Sequence, residues 1–187
     1  MLDIALKEWS VVCDLLKEGH LALLIRKGGI HESGGPGVFE LEYPRFALFP
    51  SWAHQKPEMI KPQFRDRVEI KEEPTQVPIT GMGIVEKIWQ IPSREAFDTL
   101  DDLHCWDKPQ IDMRFDYKPQ RPLYLMAVRG YTLKTSLTIP NHTQYAGCRS
   151  WVPLRSEHVL DETQAVPGMS DQAFEQVVKR VADVFDA

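Results

Sequence analysis

The residues best suited to chemistry cluster where Arg26, Lys27, Gly28, Gly29, His31 and Glu32 follow an apolar run. Two cations beside two glycines can bring charged heads and backbone amides onto a phosphate or carboxylate, because glycine lets the chain approach closely. His31 and Glu32 would add an acid–base pair, since imidazole titrates near neutrality and a carboxylate can orient it. Neighbours on an extended strand point to opposite faces, so this pairing requires a turn. Solvated turns use the same residue types. The cluster therefore marks a polar or anionic ligand without fixing a reaction, and no Walker A loop or dinucleotide fingerprint sharpens it.

Three further constellations carry chemistry. His54 and Gln55, after Pro50-Ser51-Trp52, can read the polar edge of a ligand beside an aromatic surface, or bond within a proline-rich loop. In Gly147-Cys148-Arg149-Ser150-Trp151, Arg149 and Ser150 are candidate ligand contacts. There Arg149 would favour a Cys148 thiolate, with His142 as a base if the loop folds back; a small buried cysteine and a structural arginine fit equally. Glu69-Ile70-Lys71 has the carboxylate-x-lysine form of restriction-type nucleases, in which both side chains leave one strand face toward a metal and a phosphate. Asp66 is too close in sequence to precede them as a metal ligand, which leaves Glu40 or Glu42 on a neighbouring strand. The histidines and cysteines have no zinc-ligand spacing, and nothing in the sequence asks for a cofactor.

The elements that must position these groups follow from hydropathy. Leu2, Ala5, Leu6, Trp9, Val12, Cys13 and Leu16 recur at helical spacing, predicting a helix over 2–16 that packs through Leu6, Trp9 and Leu16, with Gly19 as its C-cap. A continuous apolar run predicts a strand over 21–25, ending at the cationic pair. Glycine and proline over 33–37 make a loop. Strands are expected over 38–42, 45–49, 67–71, 79–91, 123–133 and 152–154, with the long 123–133 strand apolar on both faces and hence central. Gly81 and Gly83 permit a bulge. Ser93 and Ser170 can cap helices, the first running to Leu103 and the second carrying Phe174, Val177, Val178, Val181 and Phe185. Bent strands with few crossover helices favour an α+β domain over a doubly wound sheet. Its sheet would be curved and mainly antiparallel, or a small barrel, with peripheral helices. Residues 1–160 make one domain and 161–187 a linker and helix packed on it.

With 187 residues the chain can bury a sizeable core. A net charge of −5 argues against general nucleic-acid coating, while a local basic patch can still hold phosphates. Cys13, Cys105 and Cys148 are odd in number and widely spaced, as expected of free thiols in a reducing compartment. No apolar run is long enough to span a bilayer and no signal peptide is evident, so a cytoplasmic, non-membrane protein is expected.

Ala5-Leu6-Lys7-Glu8-Trp9, Leu24-Ile25-Arg26-Lys27-Gly28-Gly29-Ile30, Leu48-Phe49-Pro50 with His54-Gln55, Leu103-His104-Cys105-Trp106 and Tyr145-Ala146-Gly147-Cys148-Arg149-Ser150-Trp151-Val152 occur in this order. Over about residues 4 to 154 they resemble a bacterial family known as domain of unknown function number eighteen hundred and two, a likeness that brings no activity with it. An architectural likeness is to the pseudouridine-synthase-and-archaeosine-transglycosylase-like (PUA-like) barrels, including the ASC-1 homology domains. These open with a helix, a glycine, a strand and a basic residue, as Trp9, Gly19, 21–25 and Arg26 do. That resemblance implies a cleft for RNA, a modified base or a nucleotide-like ligand.

The expected function is thus a module binding RNA or a nucleotide-like ligand in a polar cleft lined by Arg26, Lys27, His54 and Arg149, with phosphate held by cations and the base read by a polar or aromatic edge. Trp52 or Trp151 would be the stacking surface. The alternatives are a metal-dependent nuclease, a hydrolase using His31, Glu32 or Cys148, and a protein-interaction domain.

Overall fold

The computed structural model describes residues 1–27, 43–145 and 150–186. Its centre is a curled, mixed sheet of strands β1 (Ile4–Trp9), β2 (Leu23–Arg26), β3 (Arg45–Ser51), β4 (Gln76–Gln90), β5 (Tyr124–Pro140), β6 (Trp151–Pro153) and the short β7 (Val166–Pro167). The order is β2-β5-β4-β3-β1-β6, with β7 beside β5. Every pairing is antiparallel except β1 with β3, which run parallel with Leu6 opposite Leu48 and Trp9 opposite Ser51. The expected α+β class with a curved, mainly antiparallel sheet and peripheral helices is the one found. Strand β5 is an interior strand next to the edge strand β2, buried on both faces over 125–128, and the β4–β5 register shifts next to Gly81.

The first helix is a correction. Residues 4–9 form strand β1, and α1 begins only at Ser10 and ends at Lys17. Strand β1 has both edges paired, with β3 and β6, and both faces buried, and a short run buried on both faces has no period of two to distinguish it from a helix. Ile4 and Leu6 enter one apolar cluster with Phe46 and Leu48, and Ala5 enters the other with Ala47 and Phe49. Trp9 is half-buried at the strand end instead of packing a helix on the sheet.

Other boundaries moved for local reasons. The expected strand over 67–71 is absent: Pro62–Arg67 is a 3₁₀ turn and 68–75 is irregular. Ser93 does cap α2 (Arg94–Asp98), accepting from the Ala96 amide at 3.1 Å, but a separate 3₁₀ turn at Asp101–Leu103 replaces the helix end. The periodicity does not announce α3 (Lys108–Asp116), since only Gln110 and Ile111 of its residues are buried. Asp107 caps it, and Pro109 sits in its first turn, where a missing amide costs nothing. Ser170 caps α4 (Asp171–Phe185), which packs through Phe174 and Val181. The expected strand over 38–42 lies outside the described residues.

Two glycines fix α1 against the sheet. Gly19, at φ +76°, ends the helix as expected, and the Gly168 carbonyl comes so close that a Cβ would stand 2.2 Å from it. Gly130 of β5 meets the Leu16 carbonyl, 1.9 Å from where its Cβ would be. Since backbone must move to admit a methyl group there, Gly130→Ala should destabilise by about 1–3 kcal/mol. Urea unfolding would measure it, and an unchanged midpoint would contradict this close docking.

Candidate functional site

The carboxyl ends of β1 and β3 open together into a cavity of about 590 Å³. Strand β1 supplies Lys7, Glu8 and Trp9, while β3 and the turn after it supply Phe49, Ser51, Ala53 and His54. Arg26 is the last residue of β2, and Arg114 comes from α3. Asn141, Thr143 and Ser150 complete the wall with Glu73. Sheet order explains the convergence: β1 is hydrogen-bonded to β3 on one side and β6 on the other, and the Lys7 amide donates to the Ser150 carbonyl at 2.8 Å.

The electrostatics centre on Glu8. By strand alternation its side chain follows Ile4 and Leu6 toward the core, where it is 9 % exposed. Its Oε2 lies 2.7 Å from Arg26 Nη2, and its Oε1 accepts the Trp9 amide at 2.9 Å. Arg26 is 7 % exposed, and its Nε has no hydrogen-bond partner among the described residues. Arg114 is close enough to feel both groups: burial lowers its pKa, Glu8 opposes that and the Arg26 charge adds to it. Arg26 is thus paired with Glu8, and Arg114 lines the same cavity within the reach of both charges, a concentration of positive charge that an anion would relieve. Lys7 bonds the Tyr145 carbonyl and lies 5.3 Å over the Phe49 ring. His54 is exposed at φ +62°, an uncommon conformation for a residue with a Cβ.

Among the expected contacts, Arg26, His54 and Ser150 share this cavity. Lys27 does not: its Nζ donates to the carbonyls of Arg114 and Phe115, each at 2.9 Å, near the end of α3. Burial lowers its pKa. Gln55 is also structural, its Nε2 donating to the Glu69 carbonyl at 2.5 Å. Glu69 pairs with Lys71 at 2.6 Å and accepts from Trp52 Nε1 at 3.0 Å, and the Lys71 bond foremost lowers the Glu69 pKa. Neither residue is on a strand, and Glu69 lines a different cavity, of about 180 Å³. No group of three or more metal-capable side chains gathers among the described residues. Gly28, Gly29, His31, Glu32, Glu40, Glu42, Cys148 and Arg149 lie outside the described residues. Cys13 and Cys105 are buried free thiols whose pKa values burial raises.

The tryptophan of the cavity is Trp9. Trp52 is covered by Lys71 at 4.3 Å, and Trp151 packs edge-on against Tyr43 and Phe46 at 5.1 and 5.2 Å. Glu8, Trp9, Glu73 and Arg114 are the site residues that sequence reasoning missed. Glu8 stands two residues beyond Leu6, a spacing that shares a face on a strand but not on the helix expected there.

The described residues thus form a curled α+β sheet with a charged cavity at the ends of a parallel strand pair. No helix among the described residues is long and apolar enough to cross a membrane. The chain belongs to the family described as a domain of unknown function (DUF1802), whose model matches residues 5–180. That match lends no support to the likeness to PUA-like barrels. No curated protein and no solved structure matches the chain.

Proposed function

We propose that the chain is a binding module for a nucleotide-like ligand, the phosphate resting on Arg26 and Arg114 and the base stacking on Trp9. The observation carrying this reading is that buried Arg26, paired with Glu8 and with its Nε unpartnered among the described residues, lines an open cavity together with half-buried Arg114. Guanidinium forks suit phosphate oxygens, and a half-buried indole offers a face to any base. A cavity of about 590 Å³ suits one nucleotide, as a free molecule or as an unstacked unit of RNA. The net charge of −5 supports local recognition over coating of a long polyanion. Buried thiols support a reducing, cytoplasmic setting.

Titration calorimetry with a nucleotide panel and short single-stranded RNA tests this. Arg114→Gln should weaken the best ligand at least about tenfold, since a hydrogen bond to a charged group contributes about 1.5–3 kcal/mol. Trp9→Ala should weaken it by about 1–3 kcal/mol through lost stacking. Binding should also fall with salt. A folded protein that binds none of these at low salt, or binds equally well without Arg114, would overturn the reading.

A further inference from the structure

At the end of β3, one oxygen is gripped by three donors from three consecutive residues. Glu73 Oε1 accepts from the Ser51 hydroxyl, from the Trp52 amide at 3.0 Å and from the Ala53 amide at 2.9 Å. Consecutive backbone amides aimed at one point form an anion-binding nest with partial positive charge. The turn that builds it leads directly into His54 at φ +62°.

The carboxylate filling this nest comes from an unlikely place. Glu73 is exposed and sits in the irregular stretch 68–75, between a 3₁₀ turn and β4. Its side chain nevertheless lines the cavity that holds Arg26 and Arg114, together with Ser51 and Ala53. A carboxylate and a phosphoryl group present similar oxygens to such donors, but the phosphoryl group carries more charge and more acceptors.

We propose that the Ser51–Ala53 nest is a second phosphoryl subsite, filled by Glu73 as an internal stand-in that the ligand displaces. With the guanidinium pair holding one phosphoryl group and the nest another, the ligand class is a nucleotide bearing two phosphoryl groups. That ligand class rests on the function proposed above; the nest as an oxyanion site does not. Removal of Glu73 therefore opens the subsite, because a tethered competitor acts at an effective concentration in the millimolar range.

The test uses inorganic phosphate and calorimetry on the full chain. Glu73→Ala should bind phosphate about tenfold more tightly than the wild type. Adding Ser51→Ala should cut the gain by removing one of the three donors while the two amides remain, whereas adding Arg114→Gln should leave the Ser51-dependent part intact. If Arg114→Gln changes nothing in the wild type while the gain in Glu73→Ala persists, the guanidinium reading fails and the nest stands. A folded Glu73→Ala protein with unchanged phosphate affinity, or a gain insensitive to Ser51→Ala, overturns the nest proposal. Should Glu73→Ala not fold, Glu73→Gln keeps a weaker bond and should give a smaller gain of the same sign, and its absence overturns the proposal equally.

Discussion

Glu8→Gln should lower the unfolding free energy by about 3–5 kcal/mol, the usual effect of removing one partner from a buried ion pair. The amide keeps the shape of the carboxylate, so the loss isolates charge. Arg26, 7 % exposed and 2.7 Å from Glu8, would be left as a desolvated cation with Arg114 nearby. Two companion measurements separate this from simple misfolding. Phosphate should restore part of the stability, since an anion bound only to the folded state stabilises by mass action. The pair Glu8→Leu with Arg26→Met should recover most of it, because apolar groups of similar size can replace a buried pair at little cost. A Glu8→Gln protein with the wild-type urea midpoint would remove the electrostatic account of the site.

Acid should destabilise the protein well above the range in which its carboxylates protonate. The His104 ring stacks on Phe97 at 4.9 Å, nearly parallel, and is 3 % exposed. Burial foremost, with the Lys61 charge, pushes its pKa from the usual 6.5 down to about 4. Between these values the unfolded chain holds a proton that the folded chain refuses, so stability falls as pH falls. The contribution is complete above about pH 6.5 and is lost by about pH 4, a difference of roughly 3 kcal/mol. Carboxylates with lowered pKa values, such as Glu69 and Asp102, come from ordinary values of 4.5 and 3.8 and lose their contributions below these. The His104 window therefore opens well above the carboxylate one and meets it only below about pH 4.5. His104→Phe keeps a flat ring against Phe97 and should flatten the curve between pH 6.5 and 4. Persistence of the full slope in that variant would assign the loss to other groups.

Arg26 was legible because it terminates an apolar run, and a charge at that point marks the strand's exit from the core. Ser93, Ser170 and Gly19 were legible for a similar reason: a hydroxyl cap or a left-handed glycine acts through its immediate neighbours alone. Glu8 and Trp9 were hidden by an ambiguity of period. In a run as short as Ile4–Trp9, buried on both faces, helix and strand make the same hydropathy pattern, and only the strands that arrive on either side decide between them. Arg114 was hidden because α3 has almost no apolar face, so its existence depends on Asp107, Pro109 and the burial of Gln110 and Ile111. The Glu69–Lys71 spacing suggested a shared strand face, but among the described residues no partner strand comes to that segment, and without one the spacing carries no common direction.

The position of β1 inside the sheet has a consequence for the order of events during synthesis. Strand β1 precedes the other described strands in the sequence yet is an interior one, and its register pairs Ala5 with Ala47 on one side and Val152 on the other. Pairings so distant in sequence require large loops to close before any contact compensates, which slows folding. The N-terminal strand must therefore wait, apolar on both faces, until β6 has been made. The cavity, lined by both Glu8 and Ser150, is therefore completed only after the chain through β6 has been made.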